Sequence, residues 1–427
     1  MRLYSGGGKR LPEKRRAAPM HRGGKRLAPS RHKTALLAPV ALLAAGGVTL
    51  SAWLMTEGKL PGGFWPEEAT DITEITGPAE TPPDTEQAPS NPGGTVPENV
   101  PEDDRFILSF AGDCTLGAEH TAWSKTGNFP DVVGSDYAYP FSGVREILAQ
   151  DDFTFVNLEC ALTDHNVPAD KTYRFRGLPE YGEILTAGSV EAVTLANNHS
   201  QDYGAAGLKE TRQVLESLGI SAGGDGETFL FTTERGLRVG VYTAYHIGRQ
   251  GIRQAISSLQ EQGAEVIVAA FHAGTEGSYQ PTDFQRQMFR YAAECGAQIV
   301  YNSHPHVLQP MEYWGESVIF YSLGNFCFGG NRNPTDKDTA ILQVTVERQE
   351  DGTVTLAQVD ALACSVTSTS GRNDYRPCLY APDSAGAKRV EQKLDGTYRP
   401  KTAAPATPDA AAGEQTAKAE NLAASMT

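Results

Sequence analysis

Short apolar runs that end abruptly in a carboxylate, an amide or an imidazole recur through the middle of this 427-residue chain. "RFILSFAGD" (105–113) ends in Asp113, and "FTFVNLE" (153–159) ends in Asn157 and Glu159. "VEAVTLANNH" (190–199) ends in Asn197, Asn198 and His199. "EVIVAAFHAG" (265–274) carries His272, and "QIVYNSHPH" (298–306) carries His304 and His306. Runs of this length, rich in Val, Ile and Phe, read as buried strands. Four more runs read the same way: 237–245, 317–326, 339–347 and 354–362. Helical patterns lie between them. Residues 142–150 form one. Residues 204–218 form another, with Leu208, Thr211, Leu215 and Leu218 on one face and Gly219 as its stop. Pro281 opens a third, with Phe284, Met288, Tyr291 and Cys295 at helical spacing before Gly296. Strands alternating with helices predict an α/β domain whose sheets are covered by helices. Residues 105–366 are a comfortable length for one such core.

The polar strand ends carry the chemistry. In open α/β sheets, ligands bind beyond the carboxyl ends of the strands. Carboxylate, amide oxygen and imidazole delivered together to one edge are a donor set for one or two divalent ions, with Mn, Fe or Zn the suited metals. Any one of these histidines alone would read as a satisfied structural residue; the set reads as a metal site. Glu276, four residues after His272, either orients that imidazole or meets substrate, or else is a solvated loop acid. Asp202 and Tyr203 are placed to brace the Asn-His turn. Arg174 and Arg176 alternate in "TYRFRG", so they point the same way, toward an anionic substrate or toward solvent. Asn325 in "YSLGNF" reads as a structural turn residue. Cys364 and Cys378 flank a short polar stretch and are the expected disulfide outside the cytosol.

Charge is distributed unevenly. Residues 1–33 hold eleven Lys/Arg and one acid, although the whole chain carries −15. The acidic total argues against a nucleic-acid partner. The basic arm runs straight into Thr34–Thr56, "TALLAPVALLAAGGVTLSAWLMT", which is uncharged and long enough to cross a bilayer. An uncleaved signal anchor accounts for this arrangement better than a buried helix or a cleaved leader. The Lys/Arg excess would keep the N-terminus cytoplasmic and place the chain beyond residue 57 outside the cell membrane. Residues 57–104, rich in Pro, Thr and acids, read as a disordered stalk. Residues 367–427 read as a mostly disordered tail. No phosphate-binding glycine loop of the Walker type occurs, so ATP-driven ligation by this chain alone is excluded.

"FAGDCTLG", "VNLECALTD", "LANNHSQDYG", "FHAGTEGSY" and "SHPHVLQPMEYWGESVIFYSLGNF" occur in that order. With these motifs the chain resembles the CapA family of poly-γ-glutamate capsule synthesis proteins, which is related to the calcineurin-like metallophosphoesterases. The resemblance implies a double β-sheet sandwich flanked by helices. It implies metal roles for Asp113, Glu159, Asn198, His272, His304 and His306. It gives His199 the proton-donating role, with Asn157 and Asn197 in support. It departs from the metallophosphoesterase pattern at Thr115, where a histidine is usual, and at Asn157-Leu158-Glu159 in place of Gly-Asp. The partners implied are an anionic surface polymer such as poly-γ-glutamate and other capsule synthesis subunits of the membrane. Three functions fit: a metal-dependent hydrolase in capsule formation, export or anchoring; a non-enzymatic polymer-binding or assembly subunit; and a phosphoesterase with no capsule role. The topology is testable on its own. Protease added to intact cells should remove the 105–366 region and leave a membrane stub of roughly residues 1–60; full protection until lysis would refute an external domain.

Overall fold

The computed structural model describes residues 104–400. The basic arm, the 34–56 segment, all but the last residue of the stalk and the end of the tail lie outside these residues. Among the described residues, no helix is long and apolar enough to cross a membrane.

Two sheets carry the domain. In the first, strands follow the order Cys378–Leu379, Val354–Ser365, Asp338–Arg348, Arg105–Thr115, Phe153–Leu158, Ala192–Thr194 and Ser221–Gly223, and Asn325–Phe328 also pairs with Arg105–Thr115. In the second the order is Met311–Trp314, Ser317–Phe320, Ile299–Ser303, Val266–His272, Arg238–Ala244 and Glu227–Thr232. A small third sheet joins Ala118–Glu119, Phe175–Gly177 and Ala161–Leu162. Period-two alternation explains how the large sheets meet. Phe106, Leu108, Phe110, Phe153 and Phe155 from the first sheet share one buried cluster with Val239, Val241, Val266, Val268, Ala270, Ile299 and Tyr301 from the second. The sheets therefore pack face to face as a sandwich. The helices Arg249–Glu261 and Asp283–Glu294 cover the outer face of the second sheet. Gly204–Ser217 buries Thr211 and Leu215 on the outer side of the first.

The structure revises several expectations. The helix begun at Pro281 runs Asp283–Glu294, opened by a capping box between Thr282 and Gln285. Its buried face is Gln285, Phe289 and Ala292, one residue on from the expected stripe, and Phe284 is 47% exposed. The cause is the cap: Gln285 turns inward, donating to Gln309 Oε1 and the Tyr321 carbonyl. The helix within 142–150 is a single turn, Arg145–Leu148. The run 317–326 is not one strand. Ser317–Phe320 belongs to the second sheet and Asn325–Phe328 to the first, with Gly324 at φ 64° between them.

The domain continues past residue 366, where its end was expected. Cys378–Leu379 pairs with Val354–Ser365, and the helix Ala385–Leu394 buries Val390 and Leu394 in the inter-sheet cluster. The tail reading fails here because Lys393 is buried against Asp336 and Asp338, acids distant in sequence. Cys364 and Cys378 are both free thiols. They lie on adjacent strands, but Cys364 is opposite Leu379 and Cys378 is opposite Ser365. That offset of one residue sends the two side chains to opposite faces of the sheet.

At the sheet edge remote from the polar strand ends, burial raises Asp151 to about 7 against hydrogen bonds from Ser109 and Thr154. Burial likewise raises Glu191 to about 7, with the Asp151 charge adding to the effect. A carboxyl group whose folded pKa lies above its unfolded value holds a proton that the unfolded chain has released. Folding stability therefore falls as pH rises from the unfolded value toward 7. Relative to the wild type, Asp151→Asn/Glu191→Gln should gain melting temperature between pH 5 and 8 and differ little near pH 4. A pH-independent difference would refute the assignment.

Candidate metal centre

The inner faces of the two sheets run from apolar to polar at their carboxyl ends. Phe153, Phe155, Asn157 and Glu159 share a face by alternation, as do Val266, Val268, Ala270 and His272. The first strand needs a correction to join them. Phe110 pairs with Phe155 and Asp113 with Asn157, so the Arg105–Thr115 strand carries one extra residue at Ala111–Gly112. This bulge turns Asp113 onto the face of Asn157, as bulges beside functional sites often do. Gly112 is required there, because an added Cβ would stand 1.9 Å from the Gly324 carbonyl oxygen. That same carbonyl accepts from Asp113 N at 2.8 Å.

Two groups of ligand atoms converge in the seam. Glu159, His272 and His304 form one; Asp113, Glu159 and His306 form the other, and Glu159 is common to both. His272 Nε2 lies 2.9 Å from Asn198 Oδ1, 3.1 Å from His304 Nδ1 and 3.5 Å from Glu159 Oε1. Its Nδ1 is held by Ser303 Oγ at 2.8 Å, which presents Nε2 to the cluster. His306 Nδ1 is 3.0 Å from both Asp113 Oδ2 and Asn325 Oδ1. His304 and His306 have φ of 99° and 57° on either side of Pro305. Such positive values cost a non-glycine residue on the order of 1–3 kcal/mol and persist only where the surroundings enforce them.

Asn157 and Asn197 stand behind the cluster. Asn157 donates to Asp113 Oδ1, Asn197 donates to Asn157 Oδ1, and Asn197 Oδ1 receives His199 N. His199 Nδ1 is 2.7 Å from Asp202 Oδ2, and the Phe175 ring packs on its imidazole at 4.4 Å. Asp202 also receives Lys171 Nζ at 2.7 Å and Phe175 N at 2.6 Å. Arg174 pairs with Glu119 at 3.3 Å. Arg176 lies over Trp123 and Tyr203 and donates to the carbonyls of residues 163–165. Glu276 is near enough for its charge to act on Glu159 and His306.

The electrostatics call for a cation. Both Glu159 oxygens are buried and accept no hydrogen bond. Asp113 Oδ2 likewise accepts no aligned hydrogen bond, although His306 lies within ion-pair distance. Buried carboxylates left so are costly unless positive charge is supplied. Burial and the neighbouring Asp113 charge push the Glu159 carboxyl well above its usual range. Burial opposes a charged His306, yet Glu159 and Asp113 overcome it and hold that imidazole up to about 10. Burial and the neighbouring His304 and His306 drive His272 well below its ordinary value, leaving it a neutral donor. Burial also lowers His199, against the pull of Asp202. Oxygen and imidazole donors around an unsatisfied carboxylate fit a divalent ion.

The family described as "Bacterial capsule synthesis protein PGA_cap" matches residues 107–247 and 232–330. The chain belongs to this family. Among its relatives, the "PGA biosynthesis protein CapA" of Bacillus subtilis (strain 168) is 27% identical over 283 residues, covering 60% of this chain and 72% of that one. The "Capsule biosynthesis protein CapA" of Bacillus anthracis is 27% identical over 331 residues, covering 69% and 78%. Overlap with solved structures is loose: the NAD nucleotidase of Haemophilus influenzae aligns with a TM-score of 0.35 at 12% identity, over 74% of this chain and 67% of that one. The PGA_cap match spans every residue of the cluster, from Asp113 to His306.

In this PGA_cap chain three contributors escaped sequence reasoning. Lys171 sits in an irregular stretch with no periodicity to mark it, yet its Nζ also donates to the Asn198 carbonyl at 2.7 Å. Ser303, directly before the His-Pro-His turn, gives no sign of its role in the sequence, yet it orients His272. Asn325, read as a turn residue, brackets His306 by also donating to its carbonyl at 3.2 Å. Thr115, at the departure from the metallophosphoesterase pattern, donates to the Glu159 carbonyl and not into the cluster. The close approach at Gly112 gives a direct test. Gly112→Ala should destabilise the fold by about 1–3 kcal/mol or more and separate Asp113 from Asn325; melting like the wild type would refute the contact.

Proposed function

We propose that this chain is a divalent-metal-dependent hydrolase acting on an anionic surface polymer of the poly-γ-glutamate type. On this reading it is anchored by its 34–56 segment with the domain outside the cell membrane. The observation that carries the hydrolase reading is Glu159, buried, without a hydrogen bond, and common to both ligand groups. The relatives named for capsule and PGA biosynthesis support the polymer as substrate class.

Asp113, Glu159, Asn198, His272, His304 and His306 would hold one or two ions, with Mn, Fe or Zn suited to these donors. Such an ion, when bound, polarises the scissile phosphoester or amide and activates a water. The chain's own residues do the rest. Asp202 takes the Nδ1 side of His199 and leaves Nε2 to pass a proton to the departing atom. Lys171 and the Phe175 amide hold Asp202 in place. The Phe175 ring shields the imidazole from water on one face. Arg176, on the neighbouring small sheet, and Arg174, next to that strand and paired with Glu119, are the cations near the Asn-His turn that an anionic chain could meet.

Thr115 favours a second reading, a polymer-binding or assembly subunit, because it supplies no imidazole where the resemblance expects one. Elemental analysis, melting and turnover on His199→Ala, His272→Ala and His306→Ala separate the two. The hydrolase reading expects metal loss and lower stability in His272→Ala and His306→Ala, by linkage. It expects His199→Ala to keep its metal and melting temperature while losing about 10²–10⁴ in rate. Unimpaired polymer formation in cells carrying each variant would favour the assembly subunit. A wild type that takes up neither Mn, Fe nor Zn would refute the metal assignment.

A further inference from the structure

The Gly274–Gln280 loop leaves the end of the Val266–His272 strand and bears the exposed Glu276 beside Gly277. Gly274 at φ 125° and Gly277 at φ 71° shape its turns. Three anchors fix it. Gly277 N donates to the Pro305 carbonyl at 2.8 Å, between His304 and His306. Gln309 Nε2 donates to the carbonyls of Ser278 at 2.8 Å and Gln280 at 3.1 Å. Tyr279 OH donates to Asp336 Oδ2 at 3.0 Å.

The third anchor leads out of the metal centre. Asp336 receives Lys393 Nζ at 2.6 and 2.8 Å, and Lys393 also donates to Asp338 Oδ2 at 2.8 Å. Arg389 clamps Asp338 from the same helix at 2.7 and 2.9 Å. The Lys393 side chain is 1% exposed, and its ammonium lies 5.2 Å from the Tyr279 ring centre and 5.0 Å from that of Tyr398. Burying an ammonium is costly, and an apolar residue would fill the same space without that cost. What the lysine adds is a fixed direction for Asp336, and through it for Tyr279.

We infer that Tyr279 and Lys393 are positioning residues that hold the loop bearing Glu276 against the turn between His304 and His306, and so couple the C-terminal helix to cation binding in the seam. The inference rests on the metal reading above only for its last clause. Glu276 adds a negative charge near a cation site, and Tyr279 acts through the placement of that charge.

The test uses the full chain, amide hydrogen exchange at Gly277, and titration with Mn²⁺ alone. Tyr279→Phe removes only the hydroxyl, so Gly277 exchange should quicken about fivefold, the worth of one hydrogen bond. Mn²⁺ affinity should weaken by a similar factor. Lys393→Met should have the same effects, and Tyr279→Phe serves if that variant does not fold. Glu276→Gln should weaken Mn²⁺ binding, and adding Tyr279→Phe to it should cause no further loss, because the two act as one unit. Additive losses would make Tyr279 a general stability residue and overturn the coupling. Unchanged Gly277 exchange in Tyr279→Phe would overturn the positioning role. Quickened exchange in a wild-type background that binds no Mn²⁺ would uphold the positioning and overturn the metal clause.

Discussion

Two carboxylates, Asp113 and Glu159, lie fully buried at the seam of a sandwich whose inter-sheet cluster is mostly aromatic and aliphatic. Their mutual repulsion and desolvation are what the surrounding structure has to offset. The arrangement of amides behind them is a response to that cost. Asn157 donates to one oxygen of Asp113, and Asn197 in turn fixes Asn157. The oxygens facing forward have no such donor. The protein thus satisfies one oxygen of Asp113 with a neutral hydrogen bond and leaves the other, with both oxygens of Glu159, for positive charge. His306, between the two acids, supplies that charge as an imidazolium when nothing else does.

Much of this was legible in the sequence because alternation by two carries both the core and the site. Phe153 and Phe155 point into the sandwich, so Asn157 and Glu159 must come next on the same face, and Val268 and Ala270 lead to His272 in the same way. Where alternation breaks, legibility ends. The extra residue at Ala111–Gly112 is silent in sequence because its cause is a backbone contact with Gly324, more than two hundred residues away. The run from Ser317 to Phe328 is apolar through most of its length, so nothing marks the point where it leaves one sheet for the other.

The C-terminal region misleads for a different reason. Val390 and Leu394 offer little apolar surface of their own, and composition alone suggests a tail. Its place in the fold comes from Lys393 and Arg389 meeting Asp336 and Asp338, a charge pairing that has no periodicity. Lys171 is the same case beside His199: a lysine in an irregular stretch whose importance lies in Asp202 and the Asn198 carbonyl. Polar residues that act through distant partners leave no local pattern.

The passage of residues 317–328 from one sheet to the other has a mechanical consequence. Ser317–Phe320 is paired to Ile299–Ser303, and Asn325 is in register with Asp113. The intervening residues therefore act as a clasp across the sandwich. Sliding one sheet over the other would have to break this clasp. Shear of the layers is thereby opposed, so the ligand atoms contributed by the two sheets keep their spacing, and any yielding is left to the loops around the rim, on the nanosecond-to-microsecond scale of loop motion.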